Sequence, residues 1–211
     1  MKKISKRTAA SPKRSPPRRG QPRERLAHED ALVAFADLAK RLRIRWYVFG
    51  AQAVNVHGFP RATADLDLTI DLGDRSTLSF LRALDAAGFT PRFADADFVA
   101  ATRVVPVVHR ASALPIDLVL AGPGLEQLFL DEIHIEKIGR REIPFLSAEN
   151  LIVTKLLAGR PKDLQDVREL LARRTDVLDH RRIESLLSQL EAALDRNDLR
   201  PLYRKLRSQA S

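Results

Sequence analysis

Asp65-Leu66-Asp67 and a later Asp117 are the residues of this chain whose types and spacing could carry chemistry. The apolar residues Leu66, Leu68 and Ile70 around the first two acids read as a strand, in which side chains alternate between faces. Asp65 and Asp67 then project to one side and the leucines enter a core. Paired carboxylates repel each other and are tolerated where they meet water, a basic partner or divalent cations. Asp117, within the apolar run Pro115–Leu120, could complete a site for two metal ions of the kind that serves phosphoryl transfer. An isolated Asp-x-Asp is more often a solvated strand edge paired to arginine, here Arg61 or Arg103.

Other residues gain interest from their position relative to the acids. Gly50 stands between a strand and a helix, where a glycine lets backbone approach a ligand and a helix N-terminus favours an anion. It is followed by Ala51, a position at which a positive φ would be costly. Arg61 and Thr63 are suited to phosphate oxygens, although Arg61 in an exposed loop is equally well solvated. Lys155 falls on a helical wheel between Leu151 and Ile152, on the side facing the protein, so it must pair, snorkel or meet an anionic ligand. Asp163 follows Pro161 and suits a helix start stabilised by the macrodipole, as does Asp166 with less support. His57 and His109 lack metal-ligand spacing and are assigned nothing.

The elements that must position these groups are legible from periodicity. A helix spans Glu29–Arg43, a strand Trp46–Phe49, and a helix runs from Gly50 to about His57, ended by Gly58-Phe59-Pro60. The acidic strand covers about 65–70 and is followed by a helix from about Asp74 to Ala87. Residues 89–109 read as one or two strands, and 114–120 as another. After a short helix ending near Leu130, Ile133–Ile138 and Glu142–Leu146 form a hairpin across Gly139-Arg140. Helices over about 148–159, 162–174, 180–194 and 198–207 complete the chain. The expected fold class is α/β (α+β), a short mixed sheet with flanking helices followed by a helical C-terminal region. The expected division is a basic tail (1–25), an α/β core (26–146) and a helical part (147–211).

The order of these motifs resembles the nucleotidyltransferase superfamily, whose fold is related to the polymerase β palm. Gly50 through Arg61-x-Thr63-x-Asp65-x-Asp67, with Leu151–Lys155 and Arg160-x-Lys162-Asp163, is similar to the AbiEii-type abortive-infection proteins. Several of those are toxins of two-gene toxin–antitoxin modules. The resemblance covers roughly residues 30 to 172. It implies Mg²⁺, two ions, held by Asp65 and Asp67 with Asp117 as third ligand or general base. It also implies an NTP whose phosphates lie against Gly50 and Ala51, with Lys155 contacting them and Asp163 in the active site. The family pattern has Gly or Ser after the glycine, so Ala51 is a departure. The implied reaction moves an NMP to a hydroxyl of RNA, tRNA or a protein. The alternatives are a non-catalytic nucleotidyltransferase-like binding module and a small-molecule adenylyltransferase. A glycosyltransferase would need a larger nucleotide-binding domain than the 64 residues ahead of Asp65 allow.

Composition bounds the partners. The chain has 211 residues and no cysteine, which excludes disulfides and thiolate zinc sites. No run of about 18 apolar residues occurs, so no membrane partner is expected, and without an N-terminal apolar segment a cytoplasmic location is the expectation. The net charge of +9 resides in residues 1–25, which hold ten Lys or Arg against Glu24. The remaining 186 residues carry 26 basic and 26 acidic side chains. Four prolines and few apolar residues make the tail an expected disordered arm, either a salt-dependent RNA contact or a solubilising extension. An antitoxin is the other expected partner.

Overall fold

A computed structural model describes residues 22–58, 62–92, 96–174 and 176–210. Nearly all of the basic tail, together with Arg61, lies outside the described residues.

The chain opens with α1 (Pro22–Leu42), followed by β1 (Arg45–Phe49), α2 (Gly50–Val56), β2 (Leu66–Asp71) and α3 (Thr77–Ala86). Next come β3 (Phe89–Pro91), α4 (Ala96–Thr102), β4 (Val104–His109), β5 (Leu114–Leu120) and α5 (Leu125–Leu130). The hairpin of β6 (Ile133–Ile138) and β7 (Arg141–Leu146) leads into α6 (Ala148–Ala158), α7 (Pro161–Arg174), α8 (His180–Leu194) and α9 (Leu199–Ala210). The seven strands form one sheet in the order β3-β4-β5-β2-β1-β7-β6. Strands β2–β5 and β1–β7 pair in parallel, and every other neighbouring pair is antiparallel. The mixed α/β class expected from sequence is the one observed.

Local chemistry explains most boundaries. Pro22 is the first residue of α1, where its fixed φ and missing N–H cost nothing, so the helix begins ahead of the Glu29 boundary set by the apolar stripe. Helix α3 starts at Thr77 rather than near Asp74, because the Ser76 hydroxyl accepts from the Ser79 N–H at 3.3 Å. Ser147 caps α6 in the same way through the Asn150 N–H, and α6 ends at Gly159 with φ 65°.

One stretch departs from the sequence reading. Between β3 and β4 the chain forms α4 where only strands were expected. Ala96, Ala100 and Ala101 favour helix, but a two-turn element with a single apolar pair, Phe98-Val99, leaves too short a period to detect.

The two sheet faces differ. Leu66, Leu68 and Ile70 of β2, Ile116 and Leu118 of β5, and Trp46 and Val48 of β1 are buried. This face packs under α1, where Phe35 meets Trp46 edge-on at 5.0 Å and Phe89 at 5.9 Å. One hydrophobic core continues from there through α6 to Leu199, Tyr203 and Leu206 of α9. The opposite face carries Asp67 and Asp117. Among the described residues no helix is long and apolar enough to cross a membrane.

Candidate active site

The acids come together through register. Asp67 of β2 is the direct partner of Asp117 on β5, and in a parallel pair such partners point to the same face. Asp65 is exposed and lies just ahead of β2, which begins at Leu66, so it approaches the site from the entering loop rather than from the strand itself. Leu66 and Leu68, fully buried on the other side, hold the alternation in place, since a slip of one residue would bury Asp67 and expose both leucines.

Gly50 completes this corner. Phe49 is the antiparallel partner of Asp67, so the next residue turns directly over the carboxylate. Gly50 adopts φ 65°, and a Cβ added there would stand 2.0 Å from Asp67 Oδ2. Glycine is required twice, for the left-handed backbone and for the space. Ala51 is buried and does not have the positive φ that its sequence position raised as a cost, because Gly50 takes it. Helix α2 begins here without a side-chain cap.

Each acid has a different environment. The Thr63 hydroxyl donates to Asp65 Oδ1 at 2.7 Å, so Thr63 serves an acid in this structure. Arg92 donates to and ion-pairs with Asp117. Arg103, the alternative partner considered from sequence, instead donates to the Ala121 carbonyl at 2.5 Å. Asp67 makes no ion pair among the described residues. Burial first, and the charges of Asp65 and Asp117 after it, raise its pKa to about 6 against the opposing charges of Lys155 and Lys162.

Lys155 lies on the inward side of α6, as the helical wheel implies, and is buried. Its ammonium donates to Asp166 at 2.7 Å and to Asp163 at 3.2 Å. Of the three fates open to it from sequence, the structure shows pairing. Asp163 is buried as well and also accepts from Arg160 Nε at 2.6 Å. Burial acts to raise its pKa, but the Arg160 bond and the Lys155 charge outweigh this and hold it below the usual value. The buried cluster ties α6 to the first turns of α7. His57 is satisfied through Leu146 O at 2.7 Å and His109 through Ser112 at 2.8 Å.

The three expected metal ligands do not form a ready-made cage among the described residues. Asp117 is drawn to Arg92 and Asp65 to Thr63. The donor set still suits a hard divalent cation: three carboxylates on one corner, one of them short of positive charge, beside a backbone with no Cβ. Two cations at this site escaped the sequence reading. Arg92 had no local signal, and Lys162 was quoted within a motif without a role, although its charge reaches Asp67.

No protein-family model matches this chain, and no curated protein matches its sequence. Solved structures do. An antigenic nucleotidyltransferase-like protein from Paracoccidioides brasiliensis superposes with a TM-score of 0.51 at 15% identity, over 83% of this chain and 91% of that one. The antibiotic-resistance factor ANT(2'')-Ia superposes with a TM-score of 0.55 at 12% identity, over 81% and 94%. The fold is that of the nucleotidyltransferase-like proteins. At these identities the likeness speaks for architecture, and the chemistry has to be argued from the corner just described.

Three outcomes follow from that corner. The folded pKa of Asp67 lies above its ordinary 3.8, so the folded state holds a proton that the unfolded state has released between about pH 4 and 6. Stability should therefore fall as pH rises through that window. Asp67→Asn should melt above wild type at pH 7.5, with the gap shrinking towards pH 4, and Mg²⁺ should raise the melting point of wild type only. A gap independent of pH would show that the carboxylate is not strained. Gly50→Ala should lose about 2 kcal/mol or more, on the order of 4–8 °C in Tm, with partial recovery on adding Asp67→Ala; an unchanged Tm would refute the clash. Lys155→Ala should lose about 3–5 kcal/mol in urea unfolding by removing the cation that two buried acids share, and adding Asp163→Asn and Asp166→Asn should restore part of it. A loss below about 1 kcal/mol would show that the cluster is incidental.

Proposed function

We propose that this protein transfers a nucleoside monophosphate from an NTP to a hydroxyl acceptor, with release of pyrophosphate. The observation that supports this reading most is the register of Asp67 beside Asp117 on parallel strands, under a glycine whose Cβ would strike the Asp67 carboxylate. Asp65 and Asp67 would hold Mg²⁺. The ion, when bound, would polarise the α-phosphate and neutralise charge on the attacking and leaving oxygens.

The chain's own residues account for the rest. Gly50 leaves room for phosphate oxygens next to the acids and begins α2 uncapped. Asp117, at the edge of the corner, is placed to accept the proton of the attacking hydroxyl as the new O–P bond forms and the α–β bridge breaks. Arg92 beside it offers a planar fork suited to phosphate oxygens. Lys162, exposed near the start of α7, adds positive potential, while Lys155 acts through the buried cluster that positions α6 and α7. Ala51 supplies a backbone donor only.

The acceptor in this proposal is RNA, with tRNA the narrower candidate, because the basic residues of 1–25 favour a polyanion. A protein hydroxyl is the second candidate. A small-molecule hydroxyl is the third, in keeping with the likeness to an antibiotic-resistance factor. The AbiEii-type toxin role, with an antitoxin partner, rests on motif order and belongs to the same proposal.

The test is incubation with Mg²⁺, each of four α-labelled NTPs and total tRNA, beside Asp65→Ala/Asp67→Ala. Label entering RNA, protein or a small product with wild type alone is the expected outcome and names the acceptor. Failure of wild type to bind NTP–Mg²⁺ by calorimetry would leave a non-catalytic nucleotidyltransferase-like module instead.

A further inference from the structure

A cleft of about 610 Å³ opens between the C-terminal end of α1 and the β6–β7 turn. Its floor is apolar, formed by Ile44 and the nearly buried Trp46, and its rim carries Lys40, Lys137, Arg140 and Arg141 against one acid, Glu142. It lies apart from the acid corner. The acids cluster at the Phe49 end of β1, whereas the cleft adjoins its Arg45 end. Trp46, which lines the cleft, stands three residues or about 10 Å along the strand from Phe49. Trp46 also projects to the face that α1 covers, opposite Asp67.

The rim cations outnumber the acids beside them, Asp37 and Glu142. Lys40, Lys137 and Arg140 make no ion pair among the described residues, although Lys137 is the cross-strand partner of Glu142. Arg141 is held by Asp37, Nε to Oδ1 at 2.6 Å and Nη2 to Oδ2 at 3.1 Å, which fixes its guanidinium at the cleft. Arg41 and Arg43 flank the same helix end. The α1 macrodipole accounts for Lys40 and Arg41 in its last turn but not for Lys137 of β6 or Arg140 of the hairpin turn. Residues 26–211 carry equal numbers of basic and acidic side chains, so this concentration is not the expression of a basic body.

We propose that this cleft is a nucleic-acid docking surface that binds backbone phosphates at a distance from the acid corner. Cations contributed by two separate elements suit a polyanion better than a single phosphate, and the absence of a matching set of acids argues against a protein partner bound through its own bases. The choice of nucleic acid rests in part on the proposed RNA acceptor. The docking itself is measurable without nucleotide or turnover.

The experiment follows fluorescence anisotropy of a short labelled single-stranded RNA, and of a duplex DNA, titrated with the full chain across a series of salt concentrations. Lys137→Glu/Arg140→Glu is compared with wild type, with thermal melts of both. The residue 1–25 arm contributes equally to each, so the difference reports the cleft. Expected is at least about tenfold weaker binding, with the log–log salt slope for the single strand flattened by about 1.4, the equivalent of two lost phosphate contacts. If the reversal lowers Tm, Lys137→Gln/Arg140→Gln should flatten the slope in the same direction. Loss for both probes assigns generic backbone recognition, and loss for one names its source. Unchanged affinity and slope in a folded variant, or no binding of either probe by wild type at low salt, overturns the proposal. Wild type that docks RNA yet transfers no label fails the transfer reading alone, and Lys137→Glu/Arg140→Glu that docks RNA as wild type does fails the docking surface alone.

Discussion

Two carboxylates on neighbouring parallel strands repel, and much of this structure is arranged around the direct pairing of Asp67 with Asp117. The core face of β2 holds the register: Leu66, Leu68 and Ile70 would all leave the core if the strand slipped by one residue. On the acid face, Arg92 meets Asp117 and Thr63 meets Asp65, but Asp67 makes no ion pair among the described residues and sits under Gly50. Its pKa near 6 is the electrostatic signature of that crowding. A group so placed costs the fold stability at neutral pH, the kind of local conflict that functional sites retain.

The helical part holds a second set of buried charges, near enough to the corner for the Lys155 charge to act on Asp67. Lys155 would be an expensive residue to bury alone; between Asp163 and Asp166 it is paired, and Arg160 adds a further cation at Asp163. The cluster ties α6 to α7, and the charge of Lys162, next to Asp163, reaches Asp67. Motif resemblance implied direct phosphate contact for Lys155, whereas the ammonium is buried against two acids, and the proposed function gives the exposed positive charge to Lys162 instead.

The basic cleft is a separate feature of the same sheet. Since β1 runs from the cleft at Arg45 to the acids at Phe49, one strand links a surface rich in positive charge to a corner rich in negative charge. A bound polyanion would be attracted at one end and would need a cation or a basic side chain between itself and the other.

Much of this was legible in the residues. Alternation around Leu66 and Leu68 placed Asp67 on the face opposite those leucines, the wheel through Leu151 and Ile152 placed Lys155 inward, and Gly139-Arg140 placed the hairpin turn, because these patterns are written locally in side-chain period. Helix α4 was not legible, since two turns are too short to establish a period. The Arg92–Asp117 pair was not legible either, since their separation along the chain carries no periodic signal and depends on how β3, β4 and β5 align. The sequence by itself determined the elements, the faces and the identity of the acids, through propensity and alternation acting over a few residues. Only the tertiary structure decided that Gly50 belongs to Asp67, that Lys155 belongs to Asp163 and Asp166, and that Lys40 meets Lys137 across a cleft. Those pairings depend on strand order and register, which are set by the packing of the whole core.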